Sequence, residues 1–179
     1  MILSTLFWLS FLLIFYTYIG YPILITIFAY FWKKHKPYFQ TLPHITFMIV
    51  AYNEEDCISK KLDNTLSLDY PREKLQILVV ADGSTDKTPH IVNTYQDRGI
   101  ELAYIPERNG KLAAIVRAMQ FARGEIVVFS DANNMYDSQS IRELILPFSD
   151  SKVGGTTGAK LIIEDGRDLS SAEGLYWKY

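Results

Sequence analysis

Three short runs in the 179-residue chain carry groups able to hold a cation or a polar ligand. They are Ala51-Tyr52-Asn53-Glu54-Glu55, Ala81-Asp82-Gly83-Ser84-Thr85-Asp86 and Ser130-Asp131-Ala132-Asn133-Asn134. Asp131 and Asn133 stand two residues apart, which on an extended segment puts both side-chain oxygens on one side. Such hard oxygen ligands, completed by phosphate oxygens and water, suit Mg2+ or Mn2+. A fourth run, Glu107-Arg108-Asn109-Gly110-Lys111, offers Arg108 and Lys111 to phosphate oxygens at a helix N-terminus. Singly, each run is an ordinary turn or helix start. Brought to one edge, the three acidic runs repel one another unless a cation or hydrogen-bond donors balance them. A nucleoside diphosphate answers that pattern: its base and ribose present donors to carboxylates, and its diphosphate needs a divalent ion and basic side chains.

The elements that must position these runs follow from the apolar pattern. Ile45–Ala51, Leu75–Ala81, Ile100–Ile105 and Glu125–Ser130 are short apolar runs of strand length, as in strands covered on both faces. Between and after them, residues 54–68, 85–98, 109–123 and 138–148 repeat apolar side chains at helical spacing. Thr85 or Asp86 is a candidate cap, Gly99 and Gly124 are stop signals, and Asp69-Tyr70-Pro71 ends the first of these helices. Residues 152–163 read as mixed strand and loop, and 168–179 as the start of a helix. Alternating strands and helices imply right-handed crossovers and a mostly parallel sheet, an α/β architecture. Ligands of such sheets bind at the carboxyl ends of the strands, which is where the runs after strands one, two and four fall.

Charge is distributed unevenly. All 18 Lys and Arg and all 20 Asp and Glu follow Trp32, while residues 1–32 hold 11 of the aromatics and no charge. An apolar stretch of this length exceeds the roughly 20 residues that a membrane helix needs. No basic residue precedes it and it ends in Tyr30-Phe31-Trp32, which favours a retained anchor over a cleaved signal peptide. Trp8 and Trp32 suit interfacial positions, and Gly20-Tyr21-Pro22 predicts a kink. The basic cluster Lys33-Lys34-His35-Lys36 places the following domain on the cytoplasmic side of the cell membrane, with a single pass and the N-terminus outside. The expected organisation is an anchor over 1–32, a basic linker over 33–43 and a binding domain over 44–179. A net charge of −2 speaks against a nucleic-acid partner, and the single Cys57 excludes an internal disulfide.

The set AYNEE (51–55), ADGSTD (81–86), RNGKLAA (108–114) and FSDANN (129–134), behind a helix containing GYP (20–22), resembles the membrane-associated family 2 glycosyltransferases that build bacterial polysaccharides. The resemblance runs from about Gly20 to Tyr179. It implies a GT-A fold, Rossmann-like, with a mostly parallel sheet flanked by helices and one transmembrane helix before it. It also implies a nucleotide-sugar donor, commonly a UDP-sugar, a divalent cation, a glycan or lipid-linked acceptor, and transfer with inversion. By position, Ala51, Tyr52, Asn53 and Glu54 would line the nucleotide pocket, and Asp82 would accept a hydrogen bond from the base. Arg108 and Lys111 would border the donor, and Asp131 and Asn133 stand where the family has its Asp-x-Asp. Asn133 keeps an oxygen ligand there but removes one charge, and Ala81 replaces a frequent Asp. The family's general base belongs to a later acidic motif, expected beyond Tyr179. Glu164-Asp165 falls too early for it and reads as a turn, so the chain looks like the donor half of an enzyme. Two other readings are a non-catalytic, membrane-anchored nucleotide-sugar-binding module and a different α/β enzyme with an acidic metal site. The second of these is disfavoured by the spacing of Asp82-Gly83-Ser84-Thr85-Asp86.

Overall fold

A computed structural model describes residues 2–31 and 39–159. Two compact units emerge, residues 1–36 and 37–179. In the first, one apolar helical stretch runs from Ile2 to Phe31 as α1 (Ile2–Phe15), a π-helical turn (Tyr16–Gly20) and α2 (Tyr21–Phe31). At 1.5 Å per residue it is about 45 Å long, enough to cross a bilayer, a length and composition that a signal sequence can share. The expected irregularity at Gly20-Tyr21-Pro22 takes the form of the π turn. Pro22 has no N–H and its ring crowds the preceding turn. The chain widens just upstream, so that the Tyr21 N–H donates to the Tyr16 carbonyl. The expected interfacial Trp32 and the cluster Lys33–Lys36 lie outside the described residues, as do 160–163, Glu164-Asp165 and the expected helix from Asp168.

The second unit is built on four parallel strands: β1 (Ile45–Ala51), β2 (Leu75–Asp82), β3 (Ile100–Ile105) and β4 (Ile126–Asp131), in the order β3-β2-β1-β4. The strands match the sequence expectation to within a residue. Alternation decides which side chain meets which layer. Ile45, Phe47, Ile49 and Ala51 of β1 join Ile77 and Val79 of β2 on one face. There they pack with Ile58 and Leu62 of α3 (Ile58–Leu66), Val92 of α4 (Thr88–Asn93), and Ile141 and Ile145 of α6 (Ser140–Ile145). On the other face Met48, Leu78 and Val80 meet Ala114 and Ala118 of α5 (Lys111–Ala118), whose small side chains let the helix lie close to the sheet.

The helices are shorter than their sequence periodicity predicts. The expected 54–68, 85–98, 109–123 and 138–148 become α3, α4, α5 and α6. Three of the four gain a trailing 3-10 turn: Gln96–Arg98 after α4, Met119–Phe121 after α5 and Leu146–Ser149 after α6. The N-terminal shortening of α3, α4 and α5 shares one cause: residues 54–55, 85–87 and 109–110 hydrogen-bond to neighbouring loops instead of entering a helix. Gly99 ends its segment at φ +85°, as its stop signal predicts. Among the described residues, 152–159 hold no strand, in contrast to the expected mixture.

Candidate functional site

The chain runs β1, β2, β3 in one direction across the sheet and then returns to place β4 on the other side of β1. That reversal opens a crevice at the carboxyl ends of β1 and β4. A cavity of about 230 Å3 lies there, lined by Val50, Ala51, Tyr52, Glu54, Asp82, Arg108, Gly110, Lys111, Asp131 and Asn133. The three acidic runs therefore meet at one mouth, with the two expected cations beside them. A larger cavity of about 810 Å3 flanks the outer side of β4, lined by Val127, Phe129, Leu144, Phe148 and residues 154–159 among others. Among the described residues Glu143 is its only charged lining residue, whereas the smaller cavity gathers Glu54, Asp82, Arg108, Lys111 and Asp131.

Asn53, expected at the nucleotide pocket, makes its hydrogen bonds to the loop after β2. It is not among the lining residues. It occupies the left-handed region at φ +53°, which Asn tolerates better than most residues. From there its side-chain oxygen accepts the Thr85 N–H at 2.8 Å, and its own N–H donates to Ser84 Oγ at 3.2 Å. The Glu54 N–H donates to Thr88 Oγ1 at 2.8 Å, and the Glu55 N–H to Asp86 Oδ2 at 3.0 Å. The turns after β1 and β2 are thus one knitted unit, and Asn53 is a stitch in it. Glu54 does face the cavity, and one of its oxygens accepts the Cys57 thiol at 3.0 Å. Burial, then the Glu54 hydrogen bond and charge, push that thiol up to about 11, so Cys57 stays a protonated donor.

Asp82, expected to accept a hydrogen bond from a base, lines the cavity and already has protein donors of its own. Its side chain is 5% exposed. Oδ2 accepts the N–H groups of Asn109 at 2.9 Å and Gly110 at 2.7 Å, while Oδ1 accepts Arg117 Nη2 at 3.0 Å. Burial opposes the charge, but Arg117 and the two backbone donors outweigh it and hold the carboxyl below the usual carboxylate range. The backbone donors expected to meet a phosphate are thus directed at Asp82. Its carboxylate instead fixes the loop that carries Arg108 and Lys111. Gly83 completes the joint. Its φ is +69°, its N–H donates to the Ile105 carbonyl at 3.0 Å, and a Cβ on it would lie 2.6–2.7 Å from Arg108 Cβ, Cα and N.

The two cations have partners of their own. The Arg108 guanidinium lies 3.8 Å from the centroid of the Tyr52 ring, a stacked cation–π contact. Lys111 Nζ meets Asp131 Oδ1 at 2.5 Å. Asp131 and Asn133 both reach the cavity. Their oxygens fit a hard divalent cation in kind. Among the described residues no group of three or more His, Cys, Asp or Glu surrounds such a position, so phosphate oxygens and water would have to complete the shell.

Sequence reasoning missed Arg117, Ser84 and Thr88. Nothing in a helical Arg or a turn Ser marks it as a contact to a residue more than 30 positions away. Arg117→Met is expected to weaken nucleotide binding several-fold and to lower the melting temperature by several degrees, because the buried Asp82 carboxylate loses its charged partner. Calorimetry and thermal unfolding on the same samples check both.

Comparison with known proteins bears on what such a site serves. The profile of Glycosyl transferase family 2 matches residues 46–175. A probable glycosyltransferase of Bacillus subtilis (strain 168), YdaM, is 28% identical over 144 residues, covering 77% of this chain and 34% of the relative. A poly-beta-1,6-N-acetyl-D-glucosamine synthase of Staphylococcus aureus (strain MSSA476) is 31% identical over 128 residues, covering 70% of this chain and 31% of the relative. The chain thus spans about a third of the length of these curated relatives. Among solved structures, the mannosyltransferase PcManGT of Pyrobaculum calidifontis, in complex with GDP-Man and Mn2+, superposes with a TM-score of 0.66 at 34% identity. That match covers 78% of this chain and 43% of the other. S. aureus TarS 1-349 in complex with UDP-GlcNAc shares the fold, with a TM-score of 0.55 at 22% identity over 68% of this chain and 38% of the other.

Proposed function

This chain belongs to glycosyl transferase family 2, and on that premise we propose that it forms the donor-binding part of a membrane-anchored, inverting glycosyltransferase. The donor is a nucleotide sugar, a UDP-sugar in this reading, and the acceptor a glycan or a lipid-linked saccharide. The observation that carries the proposal is the single mouth where Tyr52, Glu54, Asp82, Arg108, Lys111, Asp131 and Asn133 converge at the switch in strand order. The apolar helix over 2–31 is the anchor, and the basic residues Lys33, Lys34 and Lys36 put the catalytic domain on the cytoplasmic side.

Each residue then has a task. Tyr52 and Glu54 bind the nucleoside, the ring by stacking and the carboxylate by accepting hydrogen bonds. Asp82 sets the Arg108–Lys111 loop, and those two side chains face the diphosphate. Asp131 and Asn133 would hold Mg2+ or Mn2+, which when bound supplies positive charge against the departing nucleoside diphosphate. To meet phosphate, Arg108 leaves the Tyr52 ring and Lys111 leaves Asp131. Both contacts are partly exposed, and exposed pairs are worth no more than about 1 kcal/mol each. The anomeric carbon gains oxocarbenium character as the bond to the diphosphate breaks. No residue of the cavity is assigned as the base that takes the acceptor proton.

Calorimetry of the full chain in detergent with UDP tests this reading. Heat that appears only with Mn2+ and falls at least tenfold in affinity in Asp131→Ala is the expected result. GDP bound in preference to UDP overturns the UDP-sugar assignment. A folded protein that binds neither with Mn2+ overturns the whole reading.

A further inference from the structure

Lys61 is the one Lys or Arg that is fully buried among the described residues, at 0% exposure in the middle of α3. A buried ammonium costs several kcal/mol unless it is compensated, and among the described residues no carboxylate lies within ion-pair distance of it. Burial pulls its amine down to about 8, against the charge of Asp131, which raises it. What the amine does make is a hydrogen bond to the Asn134 carbonyl, in the turn that follows Asp131 and Asn133. It also sits 4.4 Å from the centroid of the Tyr136 ring and 5.1 Å from that of Phe47. Those two rings meet edge to face at 5.2 Å.

One helical turn further along α3, Asn64 holds the same segment. Its Nδ2 donates to the Tyr136 carbonyl at 2.8 Å, and its Oδ1 accepts the Tyr136 N–H at 2.9 Å. The spacing i, i+3 puts both side chains on one face of α3. Together they grip residues 134 and 136 from below, while 131 and 133 face the cavity above.

We propose that Lys61 is a positioning residue, which with Asn64 fixes the turn presenting Asp131 and Asn133 to the donor. The inference rests on the reading of that turn as the donor-facing and cation-holding segment. A lysine kept only for packing is dispensable: a methionine of similar length keeps the apolar contacts and sheds the desolvation cost of an unpaired ammonium, which offsets the lost hydrogen bond to the Asn134 carbonyl. A lysine kept for the turn is not.

The test compares wild type, Lys61→Met and Asn64→Ala as full chains in detergent. Three quantities are read: thermal stability, UDP affinity as a function of Mn2+, and amide hydrogen exchange over residues 132–136. Lys61→Met is expected to melt at or above the wild-type temperature. Its exchange in the turn should quicken at least tenfold, and its half-saturating Mn2+ should rise at least tenfold. Unchanged exchange with Mn2+ half-saturation within twofold overturns the proposal. So does tighter Mn2+ binding, which would mean that Lys61 acts only by charge repulsion. Should Lys61→Met fail to fold, Asn64→Ala removes the companion grip without touching a buried charge and is read by the same criteria. Should wild type not bind UDP with Mn2+, the donor-site reading fails, and hydrogen exchange alone still decides whether Lys61 holds the turn.

Discussion

Gly83→Ala is expected to lower the melting temperature by about 10 °C and to remove measurable nucleotide binding. Two separate costs add. A residue with a Cβ at φ +69° pays roughly 1–2 kcal/mol for the left-handed region. The new Cβ would also lie 2.7 Å from both Cα and N of Arg108. These are backbone atoms, so no rotamer change relieves the clash, and forced overpacking of this kind costs typically 1–3 kcal/mol. The sum, about 3–4 kcal/mol, corresponds to roughly 10 °C in a domain of this size. The relief that remains is to push the 105–110 segment away, which breaks the Gly83 N–H bond to Ile105 and displaces Arg108. Thermal unfolding and UDP calorimetry measure the two effects. An alanine variant that melts within 2 °C of wild type would falsify the proposed rigid joint between the two loops.

Asp82→Ala is the second large effect, of about 3 kcal/mol or more. It leaves the half-buried Arg117 guanidinium without its partner and the Asn109 and Gly110 N–H groups without their acceptor. Nucleotide affinity should fall at least tenfold, because the loop of Arg108 and Lys111 loses its anchor. The same carboxylate predicts an acid dependence. Its folded pKa is depressed despite burial, by Arg117 and the two N–H donors. The unfolded state therefore binds the proton more readily, and the stabilisation is fully present above the unfolded pKa of about 3.9. It is lost as pH falls through the lower, folded value. Wild type should lose stability below about pH 4, and the difference between wild type and Asp82→Asn should shrink over that range. Denaturant midpoints measured from pH 6 downward check it. A difference that stays constant to the acid limit would contradict the assignment.

Much of this was legible in the sequence, because the signals concerned are local. Short, near-continuous apolar runs such as Ile45–Ala51, rich in β-branched residues and bounded by turn formers, suit strands buried on both faces, and four of them alternating with helical periodicity imply an α/β sheet. Turn residues must follow such strands, and a parallel sheet sends every strand's carboxyl end to the same edge. That geometric necessity is why Asp82, Asp131 and Asn133 could be placed at one mouth from their spacing alone. The helix boundaries were less legible. Periodicity extends over residues 54–57 and 85–87, but polar groups there find better partners across the loops than within a helix.

The roles inside the site were the least legible. Asn53 and Asp82 have the residue types of ligand contacts, and the structure directs their oxygens to Thr85, Asn109, Gly110 and Arg117. Lys61 and Arg117 look like solvated helix residues, and the structure buries the first entirely and half-buries the second. The sequence by itself determined the elements, their order, the apolar helix and the edge at which the polar residues gather. Each of these depends on properties repeated along the chain. Only the tertiary structure decided which oxygens remain free for a ligand. A hydrogen bond is satisfied by whichever partner lies within about 3 Å, and that partner can stand 30 or 70 residues away.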